Sequence, residues 1–219
     1  MARVERAWVA SLTVHRVVRR RLLLASASPA RRQLLAWAGF EVDVEVSGAS
    51  EEGSGSLVAA EIAERLAVRK AEAVAARHPA AGDAPLVLGC DSLLELDGSV
   101  LGKPADAATA RKWWRSRRGR SGHLWSGLCL IDGASRGSAS GAERAVVRFG
   151  HPSDDEIDAY VASGEPLEVA GGFTMEGRGA PFLEGIDGHP STVMGLSLPL
   201  LRRLVLEVTG RPITDLWTP

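Results

Sequence analysis

Three short clusters in the sequence combine side chains able to bind anions, hold a cation or accept a proton, and each follows an apolar run. The first is Ser26-Ala27-Ser28-Pro29-Ala30-Arg31-Arg32, directly after the run Leu22 to Ala25. It sets two hydroxyls and two guanidinium groups at the expected start of a helix, where unpaired backbone N–H groups and a partial positive charge favour a phosphate chain. A capped helix with solvated arginines accounts for the same residues. The second is Gly89-Cys90-Asp91-Ser92, after Leu86, Val87 and Leu88. A carboxylate is expensive to bury beside aliphatic residues unless a metal or a hydrogen-bond network holds it, so Asp91 is a candidate metal ligand or general base. An aspartate that bonds the next loop is the plainer alternative. The third is Leu101-Gly102-Lys103-Pro104, in which glycine admits close backbone approach and proline stiffens the loop that presents Lys103. Lys103 suits either a phosphate or plain solvation. Glu51, in a polar loop, and Lys70, in a long helix, add a carboxylate for a Mg²⁺ shell and a further cation, with surface charge as the other reading of both.

Several other chemistries are disfavoured. His15, His78, His123, His151 and His189 show no metal-ligand spacing, which argues against zinc hydrolysis. No serine lies in a nucleophile-elbow sequence, which argues against a Ser-His-Asp triad. The run from Gly171 to Gly179 lacks the strand-to-helix context of a dinucleotide fingerprint.

An alternating α/β framework must position these clusters. The spacing predicts a strand at Arg21 to Ala25, then a helix capped by Ser28, opened by Pro29 and stopped by Gly39. Glu41 to Val46 alternates as a half-exposed strand, and Leu57 to Arg77 carries the apolar stripe of a long helix. Leu86 to Cys90 reads as a buried strand ending at Asp91-Ser92, extended by Leu93 to Leu96 before the turn Asp97-Gly98 and a return strand from Ser99 to Leu101. A helix from Asp106 to Arg117, strands around Leu124 to Ile131 and Ala142 to Phe149, and a Gly/Ser-rich turn from Gly133 to Gly141 follow. Ser153 and Glu156 form a capping box that opens a helix through Val161, and a last helix is expected from Met194 to Val208. In α/β proteins ligands gather at the carboxyl ends of strands, which is where the polar clusters are expected.

Composition narrows the field. The chain has 219 residues, 45% hydrophobic and 24% charged, as expected for one folded domain or two joined lobes rather than a disordered chain. The 26 basic and 27 acidic residues nearly cancel, so no bulk positive field favours nucleic acid. Cys90 and Cys129 each lie in an apolar run, as buried thiols of a reducing compartment would, and the expected location is cytoplasmic. No apolar stretch approaches the ~20 residues needed to cross a bilayer. Arg19 to Ala27 imitates a secretory signal, but its apolar part is far short of the ~7–15 residues required. Residues 1 to 20 read as a loosely ordered extension and residues 21 to 219 as a single domain.

The wording and order of these segments resemble the Maf family of nucleoside triphosphate pyrophosphatases over about residues 22 to 207. Leu24-Ala-Ser26-Ala-Ser28-Pro29-Ala-Arg31-Arg32 is similar to the family's opening segment, Gly89-Cys-Asp91-Ser92 to its catalytic strand, and Leu101-Gly-Lys103-Pro104 to its lysine loop. Tyr160 to Leu167, Ala170 to Gly177 and Gly195 to Pro199 are similar to its distal motifs. The resemblance implies an elongated, two-lobed α/β fold, a mixed sheet flanked by helices with a central cleft, in many members a homodimer. It implies that Asp91 is the catalytic aspartate and that Ser26, Ser28, Arg31, Lys70 and Lys103 contact phosphates. Mg²⁺ or Mn²⁺ would be held by Asp91 and Glu51. The implied reaction is hydrolysis between the α and β phosphates of noncanonical or modified nucleotides, and the family is also linked to arrest of cell division.

Some positions depart from the family pattern. Ala30 stands where many members have arginine, Ser50 where many have the first residue of an Asp-Glu pair, and Val169 where one branch has lysine. Glu176 matches the branch that acts on N7-methylguanosine triphosphate, whereas the UTP and dTTP branch has glutamine; a carboxylate can accept two N–H bonds from a guanine edge. Ser92 fits neither branch, so the base preference stays open. Two rival readings are a non-catalytic nucleotide-binding regulator of division and a nucleotidyltransferase with an acceptor other than water.

Overall fold

Leu22, Leu23 and Leu24 are buried on both faces, which is why this three-residue run forms the interior strand β1 (Leu22–Leu24) rather than an edge. The structure is a computed structural model and describes residues 20–49 and 58–218. The other strands are β2 (Val42–Val44), β3 (Leu86–Leu96), β4 (Ser99–Leu101), β5 (Ser121–Asp132), β6 (Ser138–Phe149) and β7 (Leu183–Asp187). They form one 7-stranded mixed sheet in the order β2-β1-β3-β5-β6-β7, with β4 beside β3. β1 runs parallel to both its neighbours, and the remaining pairs are antiparallel. The helices among the described residues are α1 (Pro29–Trp37), α2 (Ala59–Ala75), α3 (Ala107–Arg117), α4 (Asp154–Ala162), α5 (Pro190–Val193) and α6 (Leu198–Thr209).

Two apolar clusters lie along one face of the long central strands. α1 and α6 cover Leu86, Leu88, Cys90, Leu128 and Leu130. Further along, α3 and α4 cover Leu94, Leu124, Val147 and Phe149 around the fully buried Trp114. The two lobes expected from the family resemblance are thus two cores on one sheet. The opposite face is covered by α2, whose Ala63, Ala67 and Ala71 approach the sheet closely because they are small.

Local signals place several elements. Ser28 caps α1 with Pro29 in its first turn, Asp106 caps α3 through the Thr109 N–H at 2.7 Å, and Ser153 and Glu156 form the capping box of α4. β3 runs on to Leu96 as expected, without a break at Asp91-Ser92, because β5 pairs with it from Leu86 to Glu95. Two expectations are corrected. Ser138 to Gly141, expected in a turn, belong to β6, where pairing with Leu128 to Ile131 supplies what Gly and Ser lack in propensity. The last helix begins at Leu198, not Met194: Gly195 has φ +93, and Ser197 caps the helix with Pro199 in its first turn. The strand β7 within the glycine-rich 171–188 segment was not expected. Of the expected extension, residues 1–19 lie outside the described residues, whereas Arg20 is anchored by Asp132 and by the Ala84 carbonyl at 3.1 Å.

Candidate active site

β1 and β4 both pair with the same edge of β3, at Leu86 to Leu88 and at Leu94 to Leu96 respectively. Among the described residues no strand pairs that edge between them. The opening therefore lies where β1 stops and the Ser26-to-Ser28 turn leads into α1. The Leu88 carbonyl still receives the Ala25 N–H at 2.8 Å, but two residues on, the Cys90 carbonyl receives a guanidinium N–H of Arg31 at 3.0 Å. Arg31 stands in for the missing strand.

The Arg31 guanidinium is buried and engages four of its five donors. Besides the Cys90 carbonyl, it donates to Ser26 Oγ at 2.9 Å, Ser92 Oγ at 3.0 Å and the Gly195 carbonyl at 2.8 Å. Ser92 Oγ lies 2.9 Å from Ser126 Oγ, and Ser126 donates to the Thr192 carbonyl at 2.8 Å. This polar seam lies between the two apolar cores and ties β1, β3, β5 and the α5–α6 connection together. Ser126 and Gly195 are members that sequence reasoning missed; a lone hydroxyl residue between Leu124 and Leu128 was the available signal for the first.

Asp91 points to the other face of β3, as adjacent strand residues must. Its carboxylate forms an ion pair with Lys70 of α2, and both side chains are largely buried. Two glycines make that contact reachable. A Cβ on Gly89 would lie 2.1 Å from the Ala67 carbonyl oxygen, and one on Gly127, the residue paired with Asp91, would lie 2.2 Å from that of Ala63. Only glycine lets α2 settle at this depth, and Lys70 lies in sequence between Ala67 and Ala71, the two α2 residues that a Cβ on Gly89 would meet.

Ser28 Oγ accepts the Arg31 N–H at 3.4 Å as the α1 cap, and Ser26 Oγ accepts the Ser28 N–H at 3.3 Å. A cavity of about 440 Å³ flanks this turn, lined by Ser26, Ser28, Arg32, Gln33 and Val44 among others. Lys103 is exposed two residues beyond Leu101, whose partner is Leu94, so the antiparallel register returns the lysine loop along β3 towards Ser92 and Asp91. Glu176 is exposed, with its carboxylate 3.1 Å from the Met175 N–H. Its loop is held by Glu165, which receives Thr174 Oγ1 and, at 3.2 Å, the Gly179 N–H; burial raises the Glu165 pKa, but these bonds outweigh it and hold the carboxyl below its usual range. Glu51 lies outside the described residues. A second cavity, of about 270 Å³ beside Leu86 and Asp132, is at the opposite end of β3 and contains none of the expected site residues.

The neighbouring Cys90 thiol is fully buried, which pushes its pKa up to about 11 and disfavours the thiolate, and burial pushes that of Cys129 up to about 12. Among the described residues no group of three or more His, Cys, Asp or Glu side chains is placed to enclose a metal. What the geometry offers is one carboxylate with a cation at an open strand edge, a hydroxyl-bearing helix entry, and a second cation on a returning loop.

The family described as Maf-like protein matches residues 21–208. A protein of Streptomyces coelicolor named nucleoside triphosphate pyrophosphatase is 56% identical over 201 residues, covering 92% of this chain and 96% of that protein. One of the same name from Streptomyces avermitilis is 55% identical over the same shares. Another from a Synechococcus species is 46% identical, covering 90% of this chain and 98% of its own length. With the match running from β1 to the last turn of α6, the chain belongs to the Maf family.

Proposed function

We propose that this chain is a nucleoside triphosphate pyrophosphatase that hydrolyses the α–β phosphoanhydride of noncanonical or modified nucleotides to a nucleoside monophosphate and pyrophosphate. Its family membership and the name shared by its relatives support the activity. The observation that carries the residue assignment is the Lys70–Asp91 pair at the open edge of β3, beside the Ser26-to-Ser28 turn.

A triphosphate brings about four negative charges, so positioned cations and N–H donors must offset charge that shifts onto the leaving pyrophosphate. Lys70 and Lys103 bind the β and γ phosphates, and Ser26, Ser28 and the first N–H groups of α1 hold the chain in line. Arg31 acts through its bonds to Ser26 and the Cys90 carbonyl, which fix the turn against β3. Water attacks the α phosphorus, the bond from that phosphorus to the bridging oxygen breaks, and pyrophosphate leaves with the electron pair. The Asp91 carboxylate takes the proton of the attacking water.

The chemistry of the Asp91 carboxylate, held beside Lys70, fits a hard divalent cation, because Mg²⁺ is ordinarily held by one or two protein carboxylates plus substrate phosphates. Asp91 together with Glu51 would hold Mg²⁺ or Mn²⁺, which supplies acidification of the attacking water and screening of phosphate charge. Glu176 and Ser92 belong to recognition of the base in this reading, Ser92 through the seam it shares with Arg31. A cytoplasmic homodimer completes the reading.

The test is pyrophosphate release from a panel containing UTP, dTTP and N7-methylguanosine triphosphate, with Mg²⁺ or Mn²⁺. Asp91→Asn is expected to fold normally and to lose about 10²–10⁴-fold in turnover, the usual worth of a positioned general base. Nucleotide binding without turnover by the wild type favours a regulator instead, and an active Asp91→Asn protein removes Asp91 from its role.

A further inference from the structure

Arg117, the last residue of α3, is wholly buried, and no hydrogen bond reaches its two terminal nitrogens. Its Nε donates to the Trp113 carbonyl at 3.2 Å. The guanidinium instead lies against aromatic rings, 4.9 Å from the centroid of Trp114, 4.9 Å from that of Phe149 and 5.9 Å from that of Phe173. Burial pushes its pKa down to about 9, which still leaves it charged at neutral pH. A cation buried without an anion is costly unless ring faces compensate it, and an aliphatic side chain would fill the same space more cheaply.

The rings it touches lead to the proposed site. Phe173 closes the segment Gly171-Gly172-Phe173, whose two glycines have φ +70 and +64. Trp114 Nε1 donates to the Gly172 carbonyl at 2.8 Å, and the Gly171 N–H donates to the Gly102 carbonyl at 2.7 Å. Gly102 immediately precedes Lys103. The left-handed glycines give this segment little intrinsic order, so its conformation is set by what grips it from below. We propose that Arg117 is a positioning residue: by clamping Trp114, Phe149 and Phe173 together it fixes the 171–173 segment, and through the Gly171–Gly102 hydrogen bond it fixes the backbone that presents Lys103. The consequence for turnover rests on the phosphate-binding role proposed for Lys103; the clamp itself does not.

Three measurements on Arg117→Met test this. Methionine fills the volume without charge, and replacing a buried ion by an apolar group is often neutral or stabilising, so the thermal midpoint is expected to hold or rise. Hydrogen exchange of the peptide carrying the Gly171 amide is expected to accelerate about tenfold, because its bond to Gly102 is no longer held closed. The kcat/KM for a nucleoside triphosphate is expected to fall about tenfold, yet less than about twofold in a Lys103→Ala background, since residues acting through one another are not additive. Arg117→Lys, which keeps the cation, should recover part of both effects. Wild-type exchange at Gly171 in Arg117→Met overturns the clamp, and full multiplication of the two losses overturns its path through Lys103. If Lys103→Ala alone leaves turnover intact, the reading of Lys103 fails while exchange at Gly171 still decides the clamp. Should Arg117→Met not fold, Phe173→Leu, which opens the same cage, is judged by the same exchange and must show the same acceleration.

Discussion

Replacing Gly89 by alanine separates packing depth from charge as the source of the Lys70–Asp91 pair. The added methyl would stand 2.1 Å from the Ala67 carbonyl oxygen and 2.7 Å from the Ala71 nitrogen, both backbone atoms of α2 that cannot rotate away. Ordinary contact begins near 3.4 Å, so α2 must lift by about 1.3 Å over this part of the strand. Lys70 lies between those two contacts in sequence, and Asp91 is two residues from Gly89 on the same face. The lift therefore acts directly on the distance between them. Overpacking of this kind costs about 1–3 kcal/mol. For a domain of this size that is a fall of about 3–10 °C in thermal midpoint. A displacement of about 1 Å in a catalytic group costs on the order of 10²-fold in rate.

The assay pairs thermal denaturation with pyrophosphate release at saturating nucleotide, using Gly82→Ala as the control because nothing lies within 4 Å of a Cβ there. Gly89→Ala is expected to lose both stability and turnover, and Gly82→Ala neither. A Gly89→Ala protein with the wild-type midpoint refutes the packing argument. One with a lowered midpoint and full turnover refutes the placement of Lys70 by α2.

Three further outcomes follow from the same geometry. Arg31→Met removes charged donors from Ser26, the Cys90 carbonyl, Ser92 and the Gly195 carbonyl, and stranding buried acceptors is expected to cost about 2–4 kcal/mol in urea unfolding; a loss under about 0.5 kcal/mol contradicts the seam. The Arg20 bond, with help from the Ala134 and Ser135 N–H groups against the opposing effect of burial, holds the Asp132 carboxyl down at about 2. A depressed carboxylate stabilises the fold above its unfolded pKa and ceases to as pH falls through the folded one, so Asp132→Asn is expected to be less stable than wild type by about 1–2 kcal/mol at pH 5–7 after solvent screening. That gap closes between about pH 4 and 2, and a gap independent of pH would contradict the ion pair. Cys90 and Cys129, with pKa values pushed to about 11 and about 12 by burial, are expected to react with a disulfide reagent only after unfolding, and stoichiometric labelling of the native protein would contradict their burial.

Elements whose signals are local could be read from the sequence. Ser28-Pro29 opens α1, Asp106 caps α3, Ser153 and Glu156 frame α4, and Asp97-Gly98, with φ 51 and 74, makes the β3–β4 turn. Asp91 stood out because an acid among aliphatic residues needs a partner. What could not be read depends on residues far apart in the chain. The donors of Arg31 are taken up by Cys90, Ser92 and Gly195, 59, 61 and 164 positions away, and no spacing rule carries that. Arg117 lies in the run Arg115-Ser-Arg117-Arg118-Gly-Arg120, which as a sequence looks like a solvated charged face; its burial comes from rings on β6 and after α4. β3 runs through Asp91 because β5 carries the pairing past the point where β1 stops.

That continuity has a cost and a safeguard. A strand alternates its side chains between faces, so slipping β3 by one residue would exchange Asp91 for Ser92 beneath α2 and put the carboxylate in the place of Cys90, in the apolar cluster under α1 and α6 but close to the Arg31 guanidinium that bonds the Cys90 carbonyl. Opposite charge would make that misplacement less unfavourable than for most residues, and β3 and β5 are apolar enough on both faces to tolerate the shift elsewhere. Steric exclusion opposes it. In the slipped register Cys90 would take the place of Gly89, and its Cβ would meet the 2.1 Å approach of the Ala67 carbonyl oxygen. A matching slip of β5 would put Leu128 or Ser126 where Gly127 lies 2.2 Å beneath Ala63. The two glycines that let α2 deliver Lys70 to Asp91 therefore also exclude the register in which Asp91 would face away from it.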